Sequence, residues 1–587
     1  MKLGGLLMAA VLVLVIPACG DSGGSTPADG AMTAMDAAGG DAPGADGGAP
    51  DLPPVTSCAG LVPTSQLTGS ISADQTWSGV VGVTGEIIVQ AAKITISPGT
   101  TLVMGADASI QFGWNSNPGS VFARGTAALP IRFCGKEATP GYWSKLLVGD
   151  KITSDSAFEN VVITDGGKVS DTAVDLNAPI LISNVRVQGS AGDGVRAVDF
   201  KDGSANLTVT GAAKTAVVLD GQGGITRLPL GGSYTGNGNS VIAVHFDNIS
   251  LDTTFKNPGV HYLQEISMIS TAGAKVTFEA GVDYRMAVDT NLEFGWNSNE
   301  STVVANGTAA QPVSIGRASE AAGMWRSLII GNKVKSDSVL KYVKISGGGN
   351  MGPALNVTAP IALQNVTFDG NQTGPNLDGV GLAASSTALT ITHTMGAAAT
   401  VAPNAMVTLP KGGTYTGNTK DWISVAGGTY TAHGTLPNLG VPFRIESAII
   451  TSMMSSLTIE AGTTLIMAAD AGIEFGWNSN EVTVVAVGTA AAPIVFKGAD
   501  DVVGSWDGLI IGSAVLGASK MAYVEISNGG KAAGAALHLR KAAFDVTNCK
   551  FSKSAGLGIG KTAADATDYT AGGNTFDMNA LGNVGAL

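Results

Sequence analysis

The stretch FGWNSN at residues Phe112–Asn117 occurs three times in this chain without a single change. The second copy begins at Phe294 and the third at Phe475, so the spacing is nearly constant, at 294 − 112 = 182 and 475 − 294 = 181. Six identical residues that include a tryptophan do not recur twice at one spacing by chance. The body of the chain is therefore a threefold internal repeat.

The same register extends well beyond the hexapeptide. Gly125, Gly307 and Gly488 each open the tetrapeptide Gly-Thr-Ala-Ala, and they have the same two spacings as the hexapeptides. Leu-Pro pairs at 228–229 and 409–410 mark another shared point. We therefore divide the body into three tandem units, at residues 58–228, 229–409 and 410–587.

Short apolar runs fill each unit, and turn-forming residues separate them. Examples are Val482–Val485, Ile494–Phe496 and Leu509–Ile511, with Gly, Asn, Asp or Ser between such runs. No long 3.6-residue period occurs in the body, so the pattern predicts strands joined by turns. A unit of this length exceeds one propeller blade or one solenoid coil, and it would hold about eight coils of roughly 22 residues.

Four motifs recur among these runs: Ile-x-x-Gly-Thr, Gly-Thr-Ala-x-x-Pro-Ile-x-Phe, Trp-x-x-Leu-x-Ile and Val-x-Ile-x-x-Gly-Gly. Over about residues 85–560 they resemble the right-handed parallel β-helix of the pectin-lyase-like superfold, and more narrowly bacterial lipoproteins built from such repeats. The resemblance implies an all-β solenoid in which inward Val, Ile and Leu side chains stack from coil to coil. One continuous stack and three separately capped helices, with breaks at 229–275 and 410–456, both fit the sequence.

The first residues indicate export. Residues 1–18 have the charge and apolar run of a signal peptide, and they end in Ile16-Pro17-Ala18 before Cys19, which resembles a bacterial lipobox. This resemblance implies lipid on Cys19, although Pro17 is unusual there and an ordinary signal peptide is the alternative. Residues 19–57 are rich in Asp, Gly, Ala and Pro and predict a disordered tether. We expect an outer-membrane lipoprotein, at the cell surface rather than on the periplasmic face.

Three further cysteines remain. Cys549 stands where the other units have Val185 and Val366, which predicts a buried, apolar role. The exported compartment permits a disulfide between Cys58 and Cys134, and two free thiols are the alternative. No Cys/His spacing suggests zinc.

The composition and the motifs argue against several functions. A net charge of −13 does not favour a nucleic-acid partner. The Asn-Thr-Asp, Gly-His-Gly and Arg-Ile-Lys segments of pectin-lyase-like enzymes are missing. The one Asp-Asp pair lies at 500–501, and Arg444-Ile445-Glu446 only weakly resembles Arg-Ile-Lys. No histidine has an evident carboxylate-rich neighbourhood along the sequence. We therefore expect no catalytic residues and no cofactor, with a polysaccharide lyase or hydrolase as the alternative.

Asp107, Asp289 and Asp470 recur five residues before each hexapeptide. With the nearby asparagines they are weak candidates for Ca²⁺ ligands. The alternative, which we favour, is that they stabilise tight turns with their own side chains.

The repeated tryptophans fall into two sets. Trp143, Trp325 and Trp506 each open an apolar strand and predict a structural role. The others lie in the polar hexapeptide, where an aromatic face and flanking amides suit a sugar ring; the alternative is that these indoles fold back onto the stack. The candidate glycan contacts are Trp114, Asn115, Asn117, Trp296, Asn297, Asn299, Trp477, Asn478 and Asn480. The sequence thus predicts a lipid-anchored envelope protein with an adhesive, glycan-contacting or purely structural role.

Overall fold

The computed structural model describes residues 52–53, 57–168, 171–379 and 381–587. They belong to one compact unit of short, parallel strands. The strands and the helix of the first repeat are β1 (Ser65–Ile71), β2 (Gln75–Trp77), β3 (Val80–Val89), β4 (Ala92–Ile96), β5 (Thr101–Met104), β6 (Ser109–Phe112), β7 (Gly119–Arg124), β8 (Ile131–Gly135), β9 (Leu146–Val148), β10 (Ala157–Thr164), β11 (Thr172–Leu176), β12 (Leu181–Gln188), β13 (Asp193–Ala197), β14 (Ala205–Thr210), β15 (Thr215–Leu219) and α1 (Gly223–Thr226).

The second repeat continues the same alternation of strands and turns, and it ends in a 3₁₀ helix at Pro403–Thr408. Its strands are β16 (Asn239–Val244), β17 (Asn248–Ile249), β18 (Thr253–Phe255), β19 (His261–Gln264), β20 (Met268–Ser270), β21 (Lys275–Phe278), β22 (Asp283–Met286), β23 (Asn291–Phe294), β24 (Thr302–Asn306), β25 (Val313–Arg317), β26 (Ser327–Ile330), β27 (Val339–Lys341), β28 (Val343–Ser346), β29 (Leu355–Val357), β30 (Ala362–Gln364), β31 (Thr367–Asp369), β32 (Asn376–Leu377), β33 (Thr390–Thr392) and β34 (Ala397–Val401).

The third repeat has the same plan, with a 3₁₀ turn at Trp477–Ser479. Its strands are β35 (Lys420–Val425), β36 (Gly428–Tyr430), β37 (His433–Leu436), β38 (Phe443–Ile445), β39 (Ile449–Thr451), β40 (Ser456–Ile459), β41 (Thr464–Met467), β42 (Gly472–Phe475), β43 (Thr483–Val487), β44 (Ile494–Gly498), β45 (Gly508–Ile511), β46 (Lys520–Ala522), β47 (Val524–Ser527), β48 (Ala535–Leu539), β49 (Asp545–Thr547), β50 (Lys550–Ser552), β51 (Leu557–Lys561), β52 (Thr575–Asp577) and β53 (Val584–Ala586).

Three strands make up a typical coil, and each pairs in parallel with the strand one coil later. This is the parallel β-helix that the sequence predicts. We number the three faces of each unit by the strands around the hexapeptide. Face 1 contains β5, β22 and β41, face 2 contains β6, β23 and β42, and face 3 contains β7, β24 and β43.

Alternate residues along a strand point into the coil. In β22, Tyr284 and Met286 are fully buried, whereas Asp283 and Arg285 lie on the outer surface. Aromatic rings stack in the interior: the rings of Phe255 and Phe278, one coil apart, have centroids 4.7 Å apart. Each such buried side chain contributes about 1.5–3 kcal/mol by leaving water.

The number of coils in each unit differs from the number expected from the sequence. Strands β6, β9, β11, β13, β15, β16, β19 and β22 form one ladder, so β22 lies seven turns after β6, and β23 follows one face later. A unit therefore contains seven and one-third coils instead of eight. The number is lower because the coils are unequal in length: the coil from Leu292 to Leu328 is far longer than the coil from Val357 to Leu377.

Strand pairing runs across both boundaries between units. At the first, β15 pairs with β16 and β16 pairs with β19. At the second, β34 pairs with β35 and β35 pairs with β38. The described body is therefore one continuous stack, and the alternative of three separately capped helices is wrong.

Two contacts fasten the start of the described chain to the stack. Cys58 and Cys134 form a disulfide, with Cα atoms 5.9 Å apart. Both cysteines pack against Val103 on the outside of face 1, so the disulfide covers this side chain. The guanidinium of Arg186 donates hydrogen bonds of 3.1 Å to the main-chain oxygens of Leu52 and Pro53.

Candidate functional site

The hexapeptide is the end of a strand followed by a turn. Phe112, the last residue of β6, points inward and is fully buried. Gly113 and Asn115 then adopt left-handed backbone conformations, with φ of 63° and 59°. Glycine and asparagine are the residues that adopt this conformation most readily. The other two copies have the same positive φ at Gly295, Asn297, Gly476 and Asn478.

Neighbouring coils touch at the glycine of the turn. The main-chain N–H of Lys151 donates to the carbonyl oxygen of Gly113 at 2.8 Å. A methyl group on Gly113 would lie only 2.5 Å from the nitrogen of Ile152. Close backbone approach and positive φ therefore explain why the glycine and the first asparagine are retained in all three copies.

The backbone places no comparable demand on the tryptophan between them. Trp114 and Trp296 are half-buried, and Trp477 is 39% exposed. Within the described residues, no group accepts a hydrogen bond from the indole N–H of these three side chains. Asn115, Asn297 and Asn478 are exposed beside them. Each turn thus presents part of an aromatic ring, a free N–H donor and an amide to solvent.

The other tryptophan set behaves differently. Trp143, Trp325 and Trp506 are fully buried. Their indole N–H groups donate to the carbonyl oxygens of Thr164, Ser346 and Ser527 at 2.7, 2.9 and 2.8 Å. Their rings also press on a glycine of the next coil, since a methyl on Gly348 would lie 2.7 Å from the Trp325 ring. The structural role predicted for this set is confirmed.

The third copy of the turn has apolar neighbours that the others lack. Met453, Met454 and Leu516 are 69%, 72% and 40% exposed and lie in the coils on either side. The N–H of Met453 donates to Oδ1 of Asn480 at 3.4 Å, and the N–H of Leu516 donates to the oxygen of Val482 at 2.8 Å. At the Leu516 position the other units have Thr153 and Lys335, which make the same main-chain bond. The third turn is therefore the most apolar of the three.

The repeated aspartates lie in turns, and each pairs with a partner from a later coil. Asp107, Asp289 and Asp470 have φ of 60°, 62° and 61°. Lys168 pairs with Asp107, Asn350 donates to Asp289, and Lys531 pairs with Asp470. Among the described residues, no three His, Cys, Asp or Glu side chains gather where they could hold a metal ion. These contacts fit the turn interpretation better than a Ca²⁺ site.

Two histidines have carboxylate neighbours that their surroundings in the sequence do not reveal. Nε2 of His245 lies 2.5 Å from Glu265, and its Nδ1 lies 3.8 Å from Asp220. His393 lies 2.8 Å from Asp369, and this hydrogen bond holds the pKa of the Asp369 carboxyl below its usual range. These partners are one coil away along the stack, so they are distant in the sequence.

A groove of about 290 Å³ lies on the outside of face 2 in the third unit. Its lining includes Glu474, Asp507, His538 and Arg540. Arg540 donates to Glu474 at 2.7 Å, and only 11% of the Glu474 side chain is exposed. Glu474 and His538 stand two coils apart in one outward column, with Ile510 paired between them.

Burial shifts the proton affinities in this groove. It raises the pKa of Glu474, although Arg540 opposes the shift. Burial and the neighbouring Asp470 raise the pKa of Asp507. Burial and then Arg540 lower the pKa of His538. The groove therefore combines carboxyl groups that hold a proton more tightly than usual with an imidazole that releases one more readily.

Sequence reasoning missed this groove because its members lie far apart in the chain, and strand register alone brings them together. The Asp-Asp pair at 500–501 and the Arg-Ile-Glu segment at 444–446, which faintly resemble catalytic motifs, both make structural contacts. Asp501 pairs with Lys553 at 2.6 Å. Arg444 pairs with Glu446 at 3.1 Å and lies 5.1 Å from the ring centre of Trp422, a half-buried tryptophan that the sequence analysis did not single out.

The predicted signal peptide at 1–18, the lipidation of Cys19 and nearly all of the tether at 19–57 fall outside the described residues. Within the part of the chain that is described, no helix has the length and apolar character needed to cross a membrane. Cys549 is buried with a free thiol, and burial raises the pKa of that thiol to about 11. It fills the place of a valine, as predicted.

Comparison with known proteins returned no match among protein-family models, among curated proteins or among solved structures.

Proposed function

We propose that this protein is a lipid-anchored β-helix of the bacterial cell surface that contacts polysaccharide through its three hexapeptide turns and performs no catalysis. One observation carries the proposal. Each turn keeps a partly exposed tryptophan whose N–H has no acceptor among the described residues, although the turn backbone requires only the glycine and the asparagine. A planar aromatic face with adjacent amide groups is suited to the C–H face and the hydroxyls of a pyranose.

The net charge of the protein limits the class of polysaccharide that it is expected to bind. With a net charge of −13, the chain repels polyanions at low ionic strength. Neutral glycans are therefore the favoured class. The lipobox-like sequence before Cys19 supports the anchor, and the Asp-rich tether that follows would hold the β-helix away from the lipid surface.

The test removes all three turn tryptophans together. The full chain with Trp114→Ala, Trp296→Ala and Trp477→Ala is expected to bind laminarin, dextran or xylan about tenfold more weakly than the wild type. Each site loses the stacking face and the N–H donor of its indole, which contribute about 0.5–1.5 kcal/mol each. Binding is measured by glycan array and calorimetry. Intact cells that carry the wild-type chain are expected to capture fluorescent glycan, and cells with the triple variant are not.

Trp422→Ala is the matched control, because Trp422 is also half-buried and outward but lies outside the turns. It is expected to leave glycan binding unchanged. Equal binding by the triple variant and the wild type, or no binding by either, would overturn the contact role. Binding by the purified protein but not by intact cells would overturn the cell-surface placement. A purely structural spacer would respond in neither assay.

The groove on face 2 of the third unit favours a second candidate, a polysaccharide hydrolase or lyase. A carboxyl with a raised pKa, such as Glu474, can donate a proton to a leaving oxygen, and a neutral imidazole such as His538 can accept one. In the second unit the counterpart of Glu474 is Glu293, and Asn356 stands in the column at the place of His538.

If the groove is catalytic, the wild type releases reducing or unsaturated ends from polygalacturonate or laminarin, and Glu474→Gln lowers the rate by at least a hundredfold. Glu293→Gln is the matched control and is expected to have no effect on the rate. No product from the wild type, or equal rates for Glu474→Gln and the wild type, would exclude this candidate.

A further inference from the structure

The three hexapeptide turns lie at three different corners of the β-helix. The first hexapeptide turn follows β6 on face 2, and the ladder that starts at β6 reaches β22 after seven coils. The second turn follows β23, which lies one face beyond β22 in the chain. The second turn is therefore displaced by one corner relative to the first.

The same displacement occurs between the second and third turns. One ladder spans seven coils and contains strands β23, β26, β29, β32, β34, β35, β38 and β41. The third turn follows β42, again one face later. Two equal steps in a coil of three faces carry the turns to all three corners in succession.

We propose that the protein binds up to three separate polysaccharide chains at once and cross-links them. This inference rests on the proposed glycan contact. Successive turns are about 35 Å apart along the stack, at about 4.8 Å per coil, and a third of a turn apart around it. A single extended glycan that contacts one turn would have to wind around the body to reach the next. The turns therefore act as independent sites that point in three directions.

Independent sites give little avidity for one chain, because a ligand that cannot span two sites gains nothing from the second. They do connect different chains into a network. The unequal surroundings of the turns allow unequal affinities, since the exposed Met453, Met454 and Leu516 lie in the coils beside the third turn.

Calorimetry of the full chain with laminarihexaose, which is short enough for one turn, tests the number of sites. We expect a stoichiometry near three for the wild type, near two for each single Trp→Ala variant and near one for each double variant. The dissociation constants of the remaining sites are expected to change less than twofold. A stoichiometry of one for the wild type would overturn three independent sites.

Light scattering with long laminarin tests the cross-linking. The wild type and the three single variants are expected to form large assemblies, whereas each double variant binds laminarin without assembling it. A double variant that assembles laminarin as the wild type does would overturn the inference, and so would a wild type that binds without assembly. In both of those cases glycan binding itself survives; undiminished binding by the triple variant would instead remove the proposed function. Trp422→Ala is expected to behave as the wild type in both measurements.

Discussion

Trp325→Ala is expected to lower the free energy of unfolding by about 3–5 kcal/mol, the cost of deleting a fully buried large aromatic side chain. Trp325 has no exposed surface, and its N–H bonds the carbonyl oxygen of Ser346 at 2.9 Å. Its ring lies directly on Gly348 in the next coil. The substitution removes the bond and leaves a cavity between two coils that cannot close without bending the backbone. Guanidinium denaturation, followed by far-ultraviolet circular dichroism, measures the loss.

Trp296→Ala is the control for this substitution, because Trp296 precedes Trp325 in the same unit. It is half-buried and its N–H has no partner among the described residues, so we expect a smaller loss, of about 1–2 kcal/mol. The second unit is flanked by coils on both sides, which keeps fraying at the ends out of the comparison. Equal losses for the two variants would contradict the division of the tryptophans into a structural and a surface set.

The repeat and the coil pattern were predictable from the sequence because both are local. Inward Val, Ile and Leu at alternate positions mark the strands, and the three identical hexapeptides fix the period. The turns per unit were not predictable in the same way. The coil from Val357 to Leu377 is little more than half as long as the coil from Leu292 to Leu328, and only strand pairing reveals which runs stack.

The rotation of each unit by one face follows from this irregularity. The period of the repeat contains no whole number of coils, so the sequence cannot show that the turns point in three directions. The groove of Glu474 and His538 was missed for a related reason. Strand register places these two residues, which are two coils apart, along one groove on an outer face, and no sequence motif links them.

The hexapeptide was only partly interpretable from its letters. Its glycine and first asparagine predict a tight turn, and positive φ at Gly113 and Asn115 confirms it. The exposure of the tryptophan depends on the neighbouring coil, which differs among units. Trp477 is exposed whereas Trp114 is half-buried, although the two hexapeptides are identical.

Removal of the Cys58–Cys134 disulfide is the second change for which we expect a large effect. The double variant Cys58→Ser, Cys134→Ser is expected to destabilise the first coils by about 2–5 kcal/mol, because the bond closes a loop between residues separated by 76 positions. The chain-entropy model puts the contribution of such a loop at about 4–5 kcal/mol. β1 is an end strand with most of its side chains exposed, so few apolar contacts hold it once the bond is lost.

The loss should be local, because each coil of a solenoid contacts only its neighbours. Hydrogen exchange of the β1 and β3 amides is expected to accelerate in the double variant, whereas exchange in β45 and β48 stays as in the wild type. Cys549→Val is the control, since Cys549 is free and its counterparts are Val185 and Val366. A reductant should reproduce the effect in the wild type and in Cys549→Val but add nothing in the double variant. Unchanged exchange in β1 after reduction would show that the disulfide does not hold the end of the stack.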